Sequence, residues 1–150
     1  MALTFGLTNV RDLLGKLRRD ASLLEEEVTT DRFFNFVVTG YSMVHWIKND
    51  PSVPQAAKAQ YGNLHLDYWL RICGDIANAC KHFTLTSTKS NAQSATSTQG
   101  YGQGRYGKGN YGEGEESILV RLDDGTTYIC LEFVQNVLST WERFFSTHGI

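Results

Sequence analysis

The chain has 150 residues and a formal net charge of −2 at pH 7, from 14 Lys and Arg against 16 Asp and Glu. Hydrophobic residues make up 41% of it and aromatic residues 12%, which excludes a wholly disordered chain. The near-neutral charge excludes a nucleic-acid binder that relies on bulk positive charge, while a local basic site stays open. The length predicts a single domain over residues 1–150.

The three cysteines, Cys73, Cys80 and Cys130, favour small buried side chains over a disulfide framework or a zinc knuckle. Their number is odd and the sequence contains no C-x-x-C pair. The N-terminus lacks the basic start and apolar stretch of a signal peptide, and the most apolar window, 33–47, is too polar to span a bilayer. We therefore expect a cytoplasmic protein with no membrane association.

Two long amphipathic helices are predicted first. Apolar residues recur at three- and four-residue steps over residues 8–28, where Thr8 is the predicted N-cap. A second helix is predicted to begin at residues 29–31, with a hydroxyl cap and an acidic first turn. It ends near Asn49, because Pro51 disfavours a helical residue before it.

A third long helix is predicted over residues 64–83, after a short helix that ends near Tyr61. The alternating residues 83–88 then favour a strand, and residues 117–130 favour a hairpin with an Asp-Asp-Gly turn. A last helix is predicted over residues 131–147. The expected fold is mainly α: a bundle of three to four helices with a small antiparallel β-hairpin or three-stranded sheet and a final C-terminal helix.

A low-complexity segment, 89–114, separates the predicted strands. It ends in three pentapeptides of the form x-Tyr-Gly-x-Gly, over residues 100–114, which contain seven of the 14 glycines. This composition favours a flexible Gly/Ser/Tyr-rich insertion, since little apolar surface is available to offset the entropy of ordering. The tyrosines, with Arg105 and Lys108 among them, suit either a tolerated repeat expansion or a contact with a partner or with nucleic acid, on whose exposed bases they would stack.

The third helix has a polar stripe with the residue types that acid–base chemistry needs. Arg71, Asp75, Asn78 and His82 are spaced by four, three and four residues, which places them on one face with Lys81 beside them. Together they offer a cation, a carboxylate, an amide and an imidazole, suited to phosphate binding and proton transfer. Because every amphipathic helix has a polar stripe, an ordinary solvated face is the alternative interpretation.

The second helix has an uncharged stripe at Asn35, Thr39 and Ser42, and the two stripes border one groove if the helices pack antiparallel. The candidate catalytic residues are therefore Arg71, Asn78 and His82, and the candidate substrate-binding residues are Asp75, Lys81, Asn35 and Ser42. No metal site is predicted, because the histidines lack metal-ligand spacing. No cofactor is predicted either, because the Gly-x-Gly elements lie in a repeat and not between a strand and a helix.

The segment Asn78-Ala-Cys-Lys-His82 resembles part of the motif of HEPN domains, in which Arg and a polar residue precede three variable residues and His. The resemblance covers five residues directly and residues 8–83 loosely. It implies a helical bundle, and in many members a metal-independent ribonuclease of toxin–antitoxin, phage-defence or CRISPR-associated systems, active as a homodimer. Ala77 occupies the position of the motif arginine, so the resemblance also implies an altered or lost active site.

The leading hypothesis is a cytoplasmic HEPN-like protein directed at RNA or connected with phage defence. In an active form, His82 acts as base or acid on a 2′-hydroxyl of RNA, Arg71 stabilises the phosphate and Asn78 orients it. The competing hypothesis is a non-catalytic interaction or adaptor module, whose first and last helices present apolar faces to a protein partner or a second copy. We expect the chain to form a homodimer.

Overall fold

The computed structural model describes residues 5–82, 92–98 and 117–150, and within them the mainly α class is confirmed. The helices are α1 (Val10–Glu26), α2 (Thr30–Asn49), α3 (Gln55–Lys58), α4 (Tyr61–Leu64), α5 (Tyr68–His82) and α6 (Cys130–His148). The strands are β1 (Ala92–Thr98), β2 (Ser117–Leu122) and β3 (Thr127–Ile129). None of the helices in these ranges is both long enough and apolar enough to cross a membrane.

The first two helices begin at side-chain caps. Asn9, and not Thr8, caps α1, because its side chain accepts from the backbone N–H of Asp12 at 3.0 Å. Thr8 instead donates its N–H and its hydroxyl to the Asp12 carboxylate, so the predicted cap was wrong by one residue. The cap predicted for α2 is confirmed, since Thr29 Oγ1 accepts from the N–H of Arg32 at 3.1 Å.

The predicted third helix is divided at its start, which corrects the sequence-based boundary. Tyr61–Leu64 form the separate helix α4, and α5 begins only at Tyr68. Asp67 starts the new helix, because its Oδ1 accepts from the N–H groups of Trp69 at 3.0 Å and Leu70 at 3.1 Å. These bonds satisfy donors of the first turn that have no partner within the helix.

The sheet is antiparallel with the order β1-β2-β3, and it confirms the predicted hairpin. Gly125 adopts a φ of 91° in the turn, a conformation that favours glycine. β1 lies inside the predicted insertion 89–114, and its residues pair with β2 from Ala92↔Leu122 to Thr98↔Ser117. The predicted strand 83–88 and the rest of the insertion lie outside the described residues, and the single domain stays a prediction.

Gly40, in the middle of α2, packs directly against two other helices. A Cβ atom there would lie 3.2 Å from Cys73 Sγ of α5 and 3.4 Å from a methyl group of Val137 in α6. The fully buried Trp141 of α6 donates its indole N–H to the Gly40 carbonyl at 2.9 Å. A residue without a side chain therefore allows α2 to contact both neighbours, which fixes the position of α5 beside α2.

Candidate functional site

The polar stripe of α5 forms one wall of a cavity of about 380 Å³. Arg71, Asp75 and Asn78 line it together, so the structure brings three of the predicted site residues to one place. The other polar side chains that line this cavity belong to Tyr41 of α2 and to His65, which follows α4. We call this space the Arg71 cavity.

A second space of about 470 Å³ adjoins the Arg71 cavity, because Tyr41 and Asn78 line both. Ser42 and His45 of α2 and Lys81 of α5 are among its other lining residues, and we call it the Lys81 cavity. Ser42 and Lys81, both predicted to bind substrate, therefore lie next to the residues of the Arg71 cavity.

His82, the predicted acid or base, lies in a different place. It is exposed at the end of α5 and lines a largely apolar groove of about 640 Å³, together with Phe33 of α2 and Ala92 of β1. Of the predicted site residues, only Lys81 lines this groove as well as the Lys81 cavity. The structure thus groups Arg71 with Asn78, but places the His82 imidazole in the neighbouring groove.

The sequence analysis expected the polar stripe of α2 to border one groove with the stripe of α5. The structure corrects this expectation, because the three residues of the α2 stripe lie in different surroundings. Thr39 is buried against α1, where it accepts from Lys16 Nζ at 2.7 Å and donates to Asp20 Oδ2 at 3.2 Å. Asn35 is exposed on the helix surface. Because α1 covers the middle of the stripe, only Ser42 reaches the cavities beside α5.

Four rings that the sequence analysis did not select form the most concentrated group of polar aromatic side chains near the cavities. The ring centroids of His45 and His65 are 6.1 Å apart, and those of Tyr61 and His65 are 4.6 Å apart. Tyr41 meets His45 edge to face at 5.4 Å, and the Tyr61 hydroxyl lies 3.4 Å from His45 Nδ1. The spacing Tyr-x-x-x-His occurs twice, at 41–45 and 61–65, and this repeated pattern is the sequence signal for the cluster.

The environment favours the uncharged forms of two members of this cluster. Burial lowers the pKa of His65, and the nearby His45 and Lys48 lower it further. Burial also raises the pKa of Tyr41, with smaller contributions from Tyr61 and Asp75. At neutral pH His65 is therefore poised to accept a proton, and the Tyr41 phenol keeps the proton that it can donate.

Tyr41 lies against α5 because residue 74 of that helix is glycine. A Cβ atom at Gly74 would lie 2.6 Å from Tyr41 Cε2 and 2.9 Å from Cδ2, closer than carbon atoms can pack. The glycine therefore makes room for the ring that joins the two cavities.

Asp75 also has a structural partner, since its Oδ2 accepts from the backbone N–H of Ala92 at 3.0 Å. This bond attaches the start of β1 to α5, next to the Arg71 cavity. Among residues 5–82, 92–98 and 117–150, no group of three or more His, Cys, Asp or Glu side chains is arranged to hold a metal ion. The chemistry that this arrangement supports is proton transfer beside a fixed cation.

Comparison of the chain with protein-family models, with curated proteins and with solved structures gave no match. The resemblance to HEPN domains therefore stays a prediction.

Proposed function

We propose that this protein binds RNA at the Arg71 cavity and cleaves its phosphodiester backbone by metal-independent acid–base chemistry. The supporting observation is the pair of imidazoles, with ring centroids 6.1 Å apart, next to a cavity that Arg71 lines. The pKa of one of the two, His65, is lowered by burial and by the positive charges near it. A base of this kind beside a guanidinium matches the requirements of phosphoryl transfer from a 2′-hydroxyl.

In the proposed reaction, His65 takes the proton of the 2′-hydroxyl, and the 2′-oxygen attacks the adjacent phosphorus. The bond from phosphorus to the 5′-oxygen breaks, and His45 supplies a proton to that oxygen. The products are a 2′,3′-cyclic phosphate and a 5′-hydroxyl end. Arg71 stabilises the charge that accumulates on the phosphoryl oxygens, while Asn78 and the Tyr41 phenol donate hydrogen bonds to the substrate.

The proposal keeps the substrate of the HEPN-like hypothesis and changes the residues that act on it. It retains the context of an RNA-directed toxin or phage-defence protein in the cytoplasm, a location that the three free thiols favour. Asn78 and Arg71 keep their predicted roles, and the histidine pair takes the role first given to His82. Since both histidines belong to one chain, cleavage does not require the predicted homodimer.

Cleavage of end-labelled single-stranded RNA in the presence of EDTA tests the proposal. His65→Gln and His45→Gln should each lower the rate at least about 100-fold, the usual contribution of a general acid or base. His148→Gln, in α6, is the matched control, and His82→Gln should also keep most of the activity. No cleavage by the wild-type protein, cleavage that needs a divalent metal, or loss only in His82→Gln would each reject the histidine-pair assignment.

The pH dependence provides a second measurement. The His65 pKa is lowered, so kcat/KM should rise with pH through an acid limb below about 6.5, the ordinary histidine value. His65→Gln should remove this limb. An acid limb that stays in His65→Gln assigns the titrating base to another residue.

A non-catalytic interaction module is the second candidate function, and two exposed apolar side chains favour it. Phe34 and Val38 are 44% and 37% exposed, one turn apart on α2, beside the Lys81 cavity. A protein partner or a second copy that covered them would bury apolar surface. Sedimentation equilibrium separates these cases: a homodimer should dissociate in Phe34→Ser, and a clean 16.9 kDa species at tens of micromolar rejects the homodimer.

A further inference from the structure

His45 also lines a cavity of about 330 Å³ at the C-terminal end of α2. It is lined by Trp46, Asn49 and Pro51, and also by Leu7 from the segment before α1. We call this space the Trp46 pocket. Because His45 lines both the Trp46 pocket and the Lys81 cavity, the pocket is next to the proposed cleavage site.

Hydrogen bonds to Asp50 hold the walls of the Trp46 pocket together. Its Oδ2 accepts from the backbone N–H of Val10 at 2.8 Å, and its Oδ1 accepts from the N–H and the hydroxyl of Ser52 at 2.8 and 2.7 Å. Burial opposes ionisation of Asp50, but the bonds from Ser52 and Val10 hold its pKa below the ordinary value. The charged carboxylate therefore ties the start of α1 to the end of α2, and the pocket is formed before a ligand arrives.

The lining of the pocket suits a flat aromatic ring with polar edges. The indole of Trp46 is half-buried, and Leu7 and Pro51 add apolar surface. Asn49 supplies an amide whose Nδ2 donates to the His45 carbonyl at 2.9 Å, which restricts the orientation of that side chain. Stacking on aromatic rings is how proteins bind unpaired bases, and Asn amides pair with the N6 and N7 edge of adenine.

The structure assigns the Trp46 pocket as a nucleobase subsite that accepts an adenine of the nucleotide next to the scissile phosphate. The volume of about 330 Å³ is at the lower end of small-molecule pockets, which fits one base and not a longer stretch of RNA. This inference rests on the proposed function, since RNA cleavage at His45 is what makes a neighbouring base relevant.

Calorimetric titration of the full chain with adenosine 5′-monophosphate and with ribose 5-phosphate tests the subsite without requiring cleavage. We expect the nucleotide to bind at least about tenfold more tightly than ribose 5-phosphate, because stacking of one base contributes a factor of this size to the affinity. Trp46→Leu should abolish this difference, whereas Trp46→Phe should keep most of it because a ring remains. Asn49→Ala, at an exposed position that does not threaten folding, should remove the preference for adenosine over uridine 5′-monophosphate.

The outcomes separate this inference from the proposed function. Equal binding of the nucleotide and the sugar phosphate overturns the subsite even if RNA is cleaved, and a wild-type preference for uridine overturns the adenine assignment. Trp46-dependent nucleotide binding in a protein that does not cleave RNA supports the subsite and rejects the cleavage. If Trp46→Leu fails to fold, the responses of Trp46→Phe and Asn49→Ala decide.

Discussion

Replacement of Gly74 in α5 by alanine has two opposing effects on the free energy of unfolding. Alanine in place of glycine in a helix interior stabilises the fold by about 0.5–1 kcal/mol. The new methyl group would lie 2.6 Å from Tyr41 Cε2, and contacts with His45 and His65 hold that ring in place. Overpacking of this kind costs about 1–3 kcal/mol, so we expect Gly74→Ala to be less stable than the wild type by about 1 kcal/mol.

Gly15→Ala in α1 is the matched control, because a Cβ atom there meets only the end of the flexible Arg19 side chain, at 3.4 Å. It should stabilise the protein by about 0.5–1 kcal/mol. In urea unfolding, a change of 1 kcal/mol moves the midpoint by about 0.3–1 M, so the two variants should shift it in opposite directions. If Gly74→Ala raises the midpoint as much as Gly15→Ala, the Tyr41 ring is not packed on α5 as described.

Two further variants test contacts that position the helices. Trp141→Phe should lower the thermal midpoint by about 4–8 °C, because it removes the indole bond to the Gly40 carbonyl and leaves a cavity in the core, at a combined cost of about 2 kcal/mol; an unchanged midpoint contradicts this. The pKa of Asp50 is lowered in the folded state, so its stabilising effect is present above the ordinary value near 3.9 and is lost as the pH falls through the lowered value. Asp50→Asn should therefore be less stable at pH 7, with a difference that shrinks at acidic pH; a constant difference is inconsistent with the ionised carboxylate.

Local signals were enough to predict much of the fold. The apolar period and the hydroxyl of Thr29 placed α2, and the Asp-Asp-Gly turn before Thr126 placed the hairpin. The break before α5 was predicted at residues 62–63 and lies instead at residues 65–67, because it depends on hydrogen bonds from the backbone to Asp67, which leave no mark on the apolar period. β1 was missed because its Ala, Ser and Thr residues have a weak apolar pattern, and its conformation comes from pairing with distant β2 residues.

The candidate site was predictable only where it lies on one helix. Spacing alone placed Arg71, Asp75 and Asn78 on one face, and the three line one cavity. Which face of α2 meets them depends on packing, since α1 covers Thr39 and leaves the Tyr41 side toward α5. The apolar and polar pattern of α2 does not show which face packs against α5. The only sequence signal for that face is the Tyr-x-x-x-His spacing at 41–45, which is repeated at 61–65.

The register of the sheet bears on how the tyrosine–glycine pentapeptides can change in number over evolutionary time. Thr98 and Ser117 are direct partners across β1 and β2, so residues 99–116 begin and end next to adjacent points of the sheet. Duplication of one pentapeptide would lengthen the 18 residues between them to 23, which raises the entropic cost of closure by only about 0.2 kcal/mol. A gain or loss of copies at this entropic cost would therefore leave the strand pairing in register and the helices beside the sheet in their arrangement.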